Sequence, residues 1–324
     1  VAELLSNYGL FVAELLTLSA IVVVVAVVIT AAAKRGASQD GLTVEHLNER
    51  FERLGDTLKR VAEGAQQGKR TEKQRRKEHK RAAKMGSDRQ RIFVVEFKGD
   101  IRASATASLR EEVSAILAAA RDDDEVLVRL ENSGGMVHEH GLAASQLLRI
   151  KARQLRLVVA VDKVAASGGY LMACVADKIL AAPFAIIGSI GVIAQLPNFH
   201  RLLEEKGIDF EQVMAGKFKR TLTFFGENTD EAREKLKEEL DEVHRLFKHE
   251  IGVHRPQVDL ERIATGEHWY GVKALELELI DEITTSDDYL LNAASDHDIY
   301  SVAYKRRRTL PERLMSGAET LLSR

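Results

Sequence analysis

The sequence predicts an α/β domain with a largely parallel sheet, carried behind an N-terminal membrane anchor and a charged helical stalk. Three observations predict this. Beyond Gly86, short apolar runs alternate with amphipathic helical patterns, as expected for strands joined by helical crossovers. Residues 15–33 form a run of nineteen without a single charge. Residues 34–91 carry 17 basic against 9 acidic side chains, although the whole 324-residue chain has a formal charge of only -2. With 45% hydrophobic residues and four prolines, the composition excludes a disordered or collagen-like chain. Its near-neutral sum argues against a surface devoted to nucleic acid. The lone cysteine, Cys174, excludes an internal disulfide and a Cys-rich zinc site.

The apolar run comes first. At about 1.5 Å per residue it covers roughly 28 Å, close to the hydrocarbon thickness of a bilayer. Its centre, IVVVVAVVI at 21–29, is β-branched on every face, which a buried soluble helix does not need. Glu3 and Glu14 precede it and no Lys or Arg does, unlike a secretory leader. The expectation is a single uncleaved span within 11–33, in an anchor segment 1–35. Lys34 and Arg35 abut its C-terminal side, so the positive-inside tendency places the C-terminal side of the span in the cytoplasm.

The segment 36–90 reads as the stalk. Leu47, Phe51, Leu54, Leu58 and Val61 recur at spacings of three and four, a helical period. Residues 69–84 then carry nine basic and two acidic side chains, suited to anionic lipid headgroups or to a solvated face. No aromatic side chain is interleaved there to stack on bases, so nucleic acid is not expected as a partner.

The main α/β domain is expected at 91–287. Residues 92–97, 126–130 and 157–161 read as strands. Leu109, Val113, Ile116 and Leu117 mark one helix face, and 142–150 marks another. A strand is expected at 210–214. A long core-facing helix comes next, capped by Asn228 or Thr229, with Ala232, Leu236, Leu240, Val243 and Phe247 inside. Residues 288–324 read as a basic tail, with Lys305, Arg306, Arg307 and Arg308. The charge-free stretch 179–196 is not a second span, because Pro183, Gly188, Ser189 and Gly191 interrupt it. It reads as strand, loop, strand.

The chemistry lies in the loops after the strands. Asn132-Ser133-Gly134-Gly135 follows the second strand, and adjacent glycines let backbone N–H groups approach a ligand oxygen. Such a pattern is also an ordinary tight turn. Ala165-Ala166-Ser167-Gly168-Gly169-Tyr170 leads from the third strand into a helical pattern. A serine on such a turn has its hydroxyl at a helix N-terminus, where an oxyanion is stabilised. His138 and His140 sit in a polar stretch and read as surface-loop residues, and no zinc-binding spacing exists. The better base is Lys219 in Gly216-Lys217-Phe218-Lys219-Arg220-Thr221, since a lysine held out of water can accept a serine proton. Taken alone, the same residues read equally as a solvated basic strand.

Four motifs in order decide between these readings. AASGGY from Ala165, GSIGVI from Gly188, GKFKRT from Gly216 and GEHWYGVKALELELID from Gly266 resemble the bacterial signal peptide peptidase (protease IV) family of Ser-Lys serine endopeptidases. The resemblance spans nearly the whole chain, with residues 91–283 similar to the protease domain. It implies a ClpP/crotonase-like fold and a membrane-anchored endopeptidase that cleaves apolar peptides, such as signal-peptide remnants or membrane-protein fragments. Ser167 then matches the nucleophile, Lys219 the general base, Gly134, Gly135 and Gly168 the oxyanion loop, and Ser189 a hydroxyl that orients the lysine. No metal or cofactor is implied. The partners implied are peptide substrates, membrane lipid and further copies of the chain, in the bacterial inner membrane. The family's protease domain is generally drawn outside the cytoplasm, opposite to the charge bias.

Two departures stand out. Ser133 occupies the place of a proline that would stiffen the oxyanion loop, and Glu278 the place of a glycine at a helix end. Two alternatives remain open: a non-catalytic membrane scaffold derived from such a protease, and a crotonase-like acyl-CoA enzyme that would need no Ser-Lys dyad.

Overall fold

The computed structural model describes residues 17, 19, 41–63 and 89–305. The expected span, the second half of the stalk and the tail beyond Lys305 lie outside the described residues. Among the described residues no helix is long and apolar enough to cross a membrane. The chain forms two compact units, residues 43–303 and residues 1–42 with 304–324. The first of these carries the site.

Its scaffold is a seven-stranded sheet in the order β1-β10-β2-β3-β4-β6-β9. The strands are β1 (Gly41–His46), β2 (Arg91–Lys98), β3 (Glu125–Glu131), β4 (Arg156–Val161), β6 (Lys178–Ala181), β9 (Glu282–Ile283) and β10 (Asp298–Lys305). From β10 to β9 every pairing is parallel. In register, Val94 lies opposite Leu127 and Leu127 opposite Val158. These strands are buried along nearly their whole length, as a parallel sheet covered on both faces requires.

On one face Val95, Val128 and Val159 pack with helices α2 (Thr106–Ala119) and α3 (Val137–Ala152), through Leu109, Val113, Leu147 and Ile150. On the other, Val94, Leu127 and Val158 pack with Leu47 and Phe51 of α1 (Leu47–Glu63) and with Leu290 of α9 (Ser286–Ala293). The alternation of side chains along each strand sorts the two sets.

Both expected domain edges therefore move. The C-terminal segment begun at 288 is not all tail, because β10 forms the strand beside β2. The stalk is not separate from the domain before Arg91, because Leu47 and Phe51 join the core while Leu54, Leu58 and Val61 stay exposed. Asn48 makes the attachment. It is 6% exposed, its Nδ2 donates to the carbonyls of Ala294 (3.0 Å) and His297 (2.8 Å), and its Oδ1 accepts the Ile299 N–H at 2.8 Å. Asn48→Ala removes the side-chain partner of the His297 carbonyl and of the Ile299 N–H, while the Ala294 carbonyl keeps the Arg89 guanidinium at 3.2 Å. At about 1 kcal/mol for each of the two, an equilibrium denaturation curve should register a loss of about 2 kcal/mol.

A second, three-stranded sheet, β5-β7-β8, carries the functional loops: β5 (Val164–Ala166), β7 (Ile186–Gly188) and β8 (His268–Tyr270). Short helices complete the unit: α4 (Gly168–Cys174), α5 (His200–Glu205), α7 (Leu260–Ile263) and α8 (Gly271–Glu276). The long helix α6 (Asp230–His254) is capped by Thr229, whose hydroxyl accepts the Ala232 N–H. It is core-facing only at its end. Phe247 and Ile251 are buried, whereas Ala232, Leu236, Leu240 and Val243 are half-exposed. The expected strand at 210–214 is irregular, with Val213 97% exposed; its apolar residues find neither a neighbouring strand nor a core.

The end of α6 is fixed by Arg255. Its guanidinium meets both carboxylate oxygens of Asp281 at 2.8 Å and donates to the Glu278 carbonyl at 2.8 Å. Glu278 itself has φ 60, a left-handed conformation in which a side chain costs about 1–2 kcal/mol. This is the physical reason for glycine at such a helix end. Glu278→Gly should raise stability by about 1 kcal/mol, read as an upward shift of the thermal midpoint.

Candidate active site

Ser167 sits between β5 and α4 with φ 52 and ψ -120, a strained conformation for a residue with a side chain. The strand-to-helix turn is held from both sides. The Ser167 N–H donates to the Gly188 carbonyl of β7 at 2.7 Å, and the Ser167 carbonyl accepts the Leu171 N–H at 3.0 Å. A sharp turn of this kind lifts a hydroxyl out of the sheet at a helix N-terminus. Cys174 at the other end of α4 is no competitor as nucleophile. Burial pushes its thiol up to about 12, so the thiolate is scarce near neutral pH.

The glycine loop after β3 runs alongside this turn. Asn132 pairs with Ala165 as a parallel bridge: its N–H donates to the Val164 carbonyl at 2.9 Å, and its carbonyl accepts the Ala166 N–H at 3.0 Å. Gly134 has φ 89, and a Cβ there would lie 2.8 Å from the Ala166 carbonyl oxygen, the Gly168 nitrogen and the Ser167 Cβ. Only glycine permits so close an approach.

The three expected oxyanion glycines are not equivalent. The Gly134 N–H donates to Asn132 Oδ1 at 2.9 Å and is spent on the loop itself. The N–H groups of Gly135 and Gly168 have no hydrogen-bond partner among the described residues. Gly135 and Gly168 line the same cavity as Ser167, a space of about 140 Å³. Its apolar wall comes from Leu171, Val192, Val243 and Phe247, and Glu250 is the charged residue on it.

Lys219 stands apart. It is exposed, its N–H closes a turn onto the Gly216 carbonyl at 3.1 Å, and it does not line that cavity. Its neighbour Lys217 pairs with Glu231 and lies 5.2 Å from the Phe218 ring, whereas Lys219 makes no ion pair among the described residues. Ser189, half-buried with φ 52, donates its N–H to the Glu267 carbonyl at 2.6 Å. No hydrogen bond joins its side chain to Lys219 among the described residues. Ser167 and the three glycines are thus brought together, and Lys219 and Ser189 are not joined to them.

His140 corrects the reading of 138–140 as a surface loop. Both histidines lie in the first turn of α3, His138 exposed but His140 fully buried and lining the cavity. Nothing in its polar neighbours marked it. Its three-residue offset from Val137 and Ala143 on one helix face was the available signal.

A serine on a strained turn beside free backbone amides and an apolar cavity defines a site built for acyl transfer. Residues 3–147 match the description "Peptidase family S49 N-terminal" and residues 149–300 match "Peptidase family S49". The chain is 45% identical over 330 residues to "Probable protease SohB" of Haemophilus influenzae, covering 98% of this chain and 94% of that protein. It is 51% identical over 241 residues to the protein of that name from Buchnera aphidicola subsp. Acyrthosiphon pisum, covering 73% and 72%. Among solved structures, the membrane-bound stomatin-specific protease 1510-N with a substrate peptide gives a TM-score of 0.45 at 13% identity, over 72% of this chain and 99% of that one. The chain belongs to peptidase family S49, and it is a protease.

Proposed function

We propose that the protein is a membrane-anchored serine endopeptidase of ClpP/crotonase-like fold that works through a Ser167–Lys219 dyad on extended apolar peptides. The observation that carries the reading is the Ser167 turn, with φ 52, beside the unpartnered amides of Gly135 and Gly168 in one cavity. Ser167 Oγ attacks the scissile carbonyl as its proton passes to Lys219 Nζ. The amides of Gly135 and Gly168 receive the developing oxyanion. Lys219 returns the proton to the leaving amine, the C–N bond breaks, and water hydrolyses the acyl-enzyme. The apolar wall beside Ser167 suits an apolar side chain of the substrate.

The position of Lys219 in GKFKRT, and its freedom from the ion pair that holds Lys217, support it as the base. Its exposed segment carries Phe210, Val213 and Met214 at the surface. A homo-oligomer covering that surface would withdraw the lysine from water, as Ser189 would then help to orient it. A fluorophosphonate probe tests the reading: it should label Ser167 and no other serine, and an unlabelled Ser167 in active protease would overturn it.

The charge-free run at 15–33 serves as the anchor in the bacterial inner membrane, in contact with lipid. By the positive-inside tendency, Lys34 and Arg35 support a cytoplasmic catalytic domain. An alkaline phosphatase fusion after Arg324 should therefore be inactive. A bright signal would put the domain on the periplasmic side and leave the chemistry untouched.

A further inference from the structure

The Ser167–Lys219 chemistry makes no use of His140, although its imidazole is 0% exposed and touches both halves of the site. Its Nε2 lies 3.2 Å from Asn132 Oδ1, and its Nδ1 lies 3.0 Å from the Met136 carbonyl. The orientation of the Asn132 amide is fixed independently. The Gly134 backbone N–H can only donate, and it donates to Oδ1 at 2.9 Å, while Nδ2 faces the Met172 sulfur at 3.3 Å, a weak acceptor. The oxygen therefore faces the histidine, and both ring nitrogens face acceptors: Nε2 donates to Asn132 Oδ1 in the Nε2–H tautomer, and in the imidazolium form Nδ1 donates to the Met136 carbonyl as well. The same ring lies against the nucleophile turn: a Cβ on Gly168 would be 2.6 Å from His140 Cγ.

We infer that His140 is a positioning residue for the oxyanion loop: it donates through Nε2 to Asn132, which holds Gly134, and its ring packs on Gly168. In this way one buried side chain sets the separation of the two amide-bearing segments around Ser167. The inference rests on the Ser167 reading. It also gives the loop a brace where Ser133 stands in the place of a stiffening proline: Asn132 Oδ1 gathers the Gly134 N–H and the imidazole N–H at a single point. Without that donor the loop keeps its chain path, but the Asn132 amide that holds the Ser133–Gly134 peptide loses one of the two contacts on its oxygen.

The test compares two substitutions in the full chain. His140→Phe keeps a ring of similar size and removes the donor. His140→Gln keeps an N–H that can reach Asn132. A displacement of an oxyanion group by a fraction of an ångström to an ångström costs about 10- to 100-fold in rate. His140→Phe should therefore lower kcat on fluorescein-labelled casein by that factor, with KM changed by less than about twofold. It should slow fluorophosphonate labelling of Ser167 in parallel. His140→Gln should recover most of both rates. Hydrogen exchange at the Gly134 amide should speed up in His140→Phe and not in His140→Gln. A role in core packing alone would not separate the two in this order, because phenylalanine fills the space better than glutamine.

If His140→Phe loses its melting transition, His140→Met, which adapts to the same volume without a donor, carries the same expectation. Labelling by the donor-free variant at the wild-type rate overturns the inference, as does a His140→Gln variant no faster than it. Ser167→Ala in the same series separates the two readings. If it still cleaves casein, the Ser167 reading fails; if it is inactive while His140→Phe turns over at the wild-type rate, only the role of His140 fails.

Discussion

Ser167→Ala is expected to lower peptidase turnover by about 10⁴-fold or more, and Lys219→Ala and the double variant to fall to the same floor. The reason is that a nucleophile and its base act as one unit. In the proposed dyad the Ser167 proton has no acceptor without Lys219, and the lysine has nothing to activate without Ser167. The residual rate in all three comes from the amides of Gly135 and Gly168 and from substrate binding, which none of the substitutions touches. Casein hydrolysis by the purified proteins at equal concentration measures the wild type and the three variants on one scale. Lys219→Ala turning over at more than about a tenth of the wild-type rate would remove Lys219 from the dyad. Lys217→Ala is the internal comparison: Lys217 is held by Glu231 and should lose far less activity.

How far the sequence can be read depends on where each signal is written. The strands β2, β3 and β4 were legible because both faces of a parallel sheet are buried, so Val94, Val95, Leu127, Val128, Val158 and Val159 appear as uninterrupted apolar runs. Ser167 and the glycine loop were legible because turn chemistry is local. The place of β10 was not. Its parallel pairing with β2 joins Ile299 to Ile92, a contact between distant parts of the chain that no local pattern records. Asn48 was equally silent: a polar residue beside Leu47 looks solvated until the carbonyls of Ala294 and His297 are brought to it.

The failures over 208–254 share one cause. Helical spacing at Ala232, Leu236 and Leu240 and the apolar cluster at 210–214 both read as core, yet this region leaves the sheet and remains largely exposed. Periodicity reports an apolar face and not what covers it. The same limit applies to Lys219, whose motif was plain in the sequence although its segment lies apart from the cavity. For His140 the error ran the other way. Glu139 and His138 made its surroundings look wet, while the helix turned its ring inward against Gly168.

Gly134→Ala should be nearly as damaging to turnover as the loss of an oxyanion donor, about 10²- to 10³-fold in kcat. Two effects combine. At φ 89 an alanine is strained by about 1–2 kcal/mol, and relief means rotating the very peptide that leads to Gly135. The added methyl would also stand 2.8 Å from the Ala166 oxygen, the Gly168 nitrogen and the Ser167 Cβ. Two of these three are backbone atoms, which cannot swing aside as the end of a flexible side chain does. The contact is relieved only by parting the glycine loop from the nucleophile turn, which moves the Gly135 and Gly168 amides away from each other. Stability should fall by only about 1–3 kcal/mol, because the sheet beneath is not involved, so folded protein with little activity is the expected product. Thermal melting and casein hydrolysis on the same sample distinguish the outcomes. If Gly134→Ala retains kcat within about threefold of wild type, the loop does not frame the reacting carbonyl, and the oxyanion must be received elsewhere.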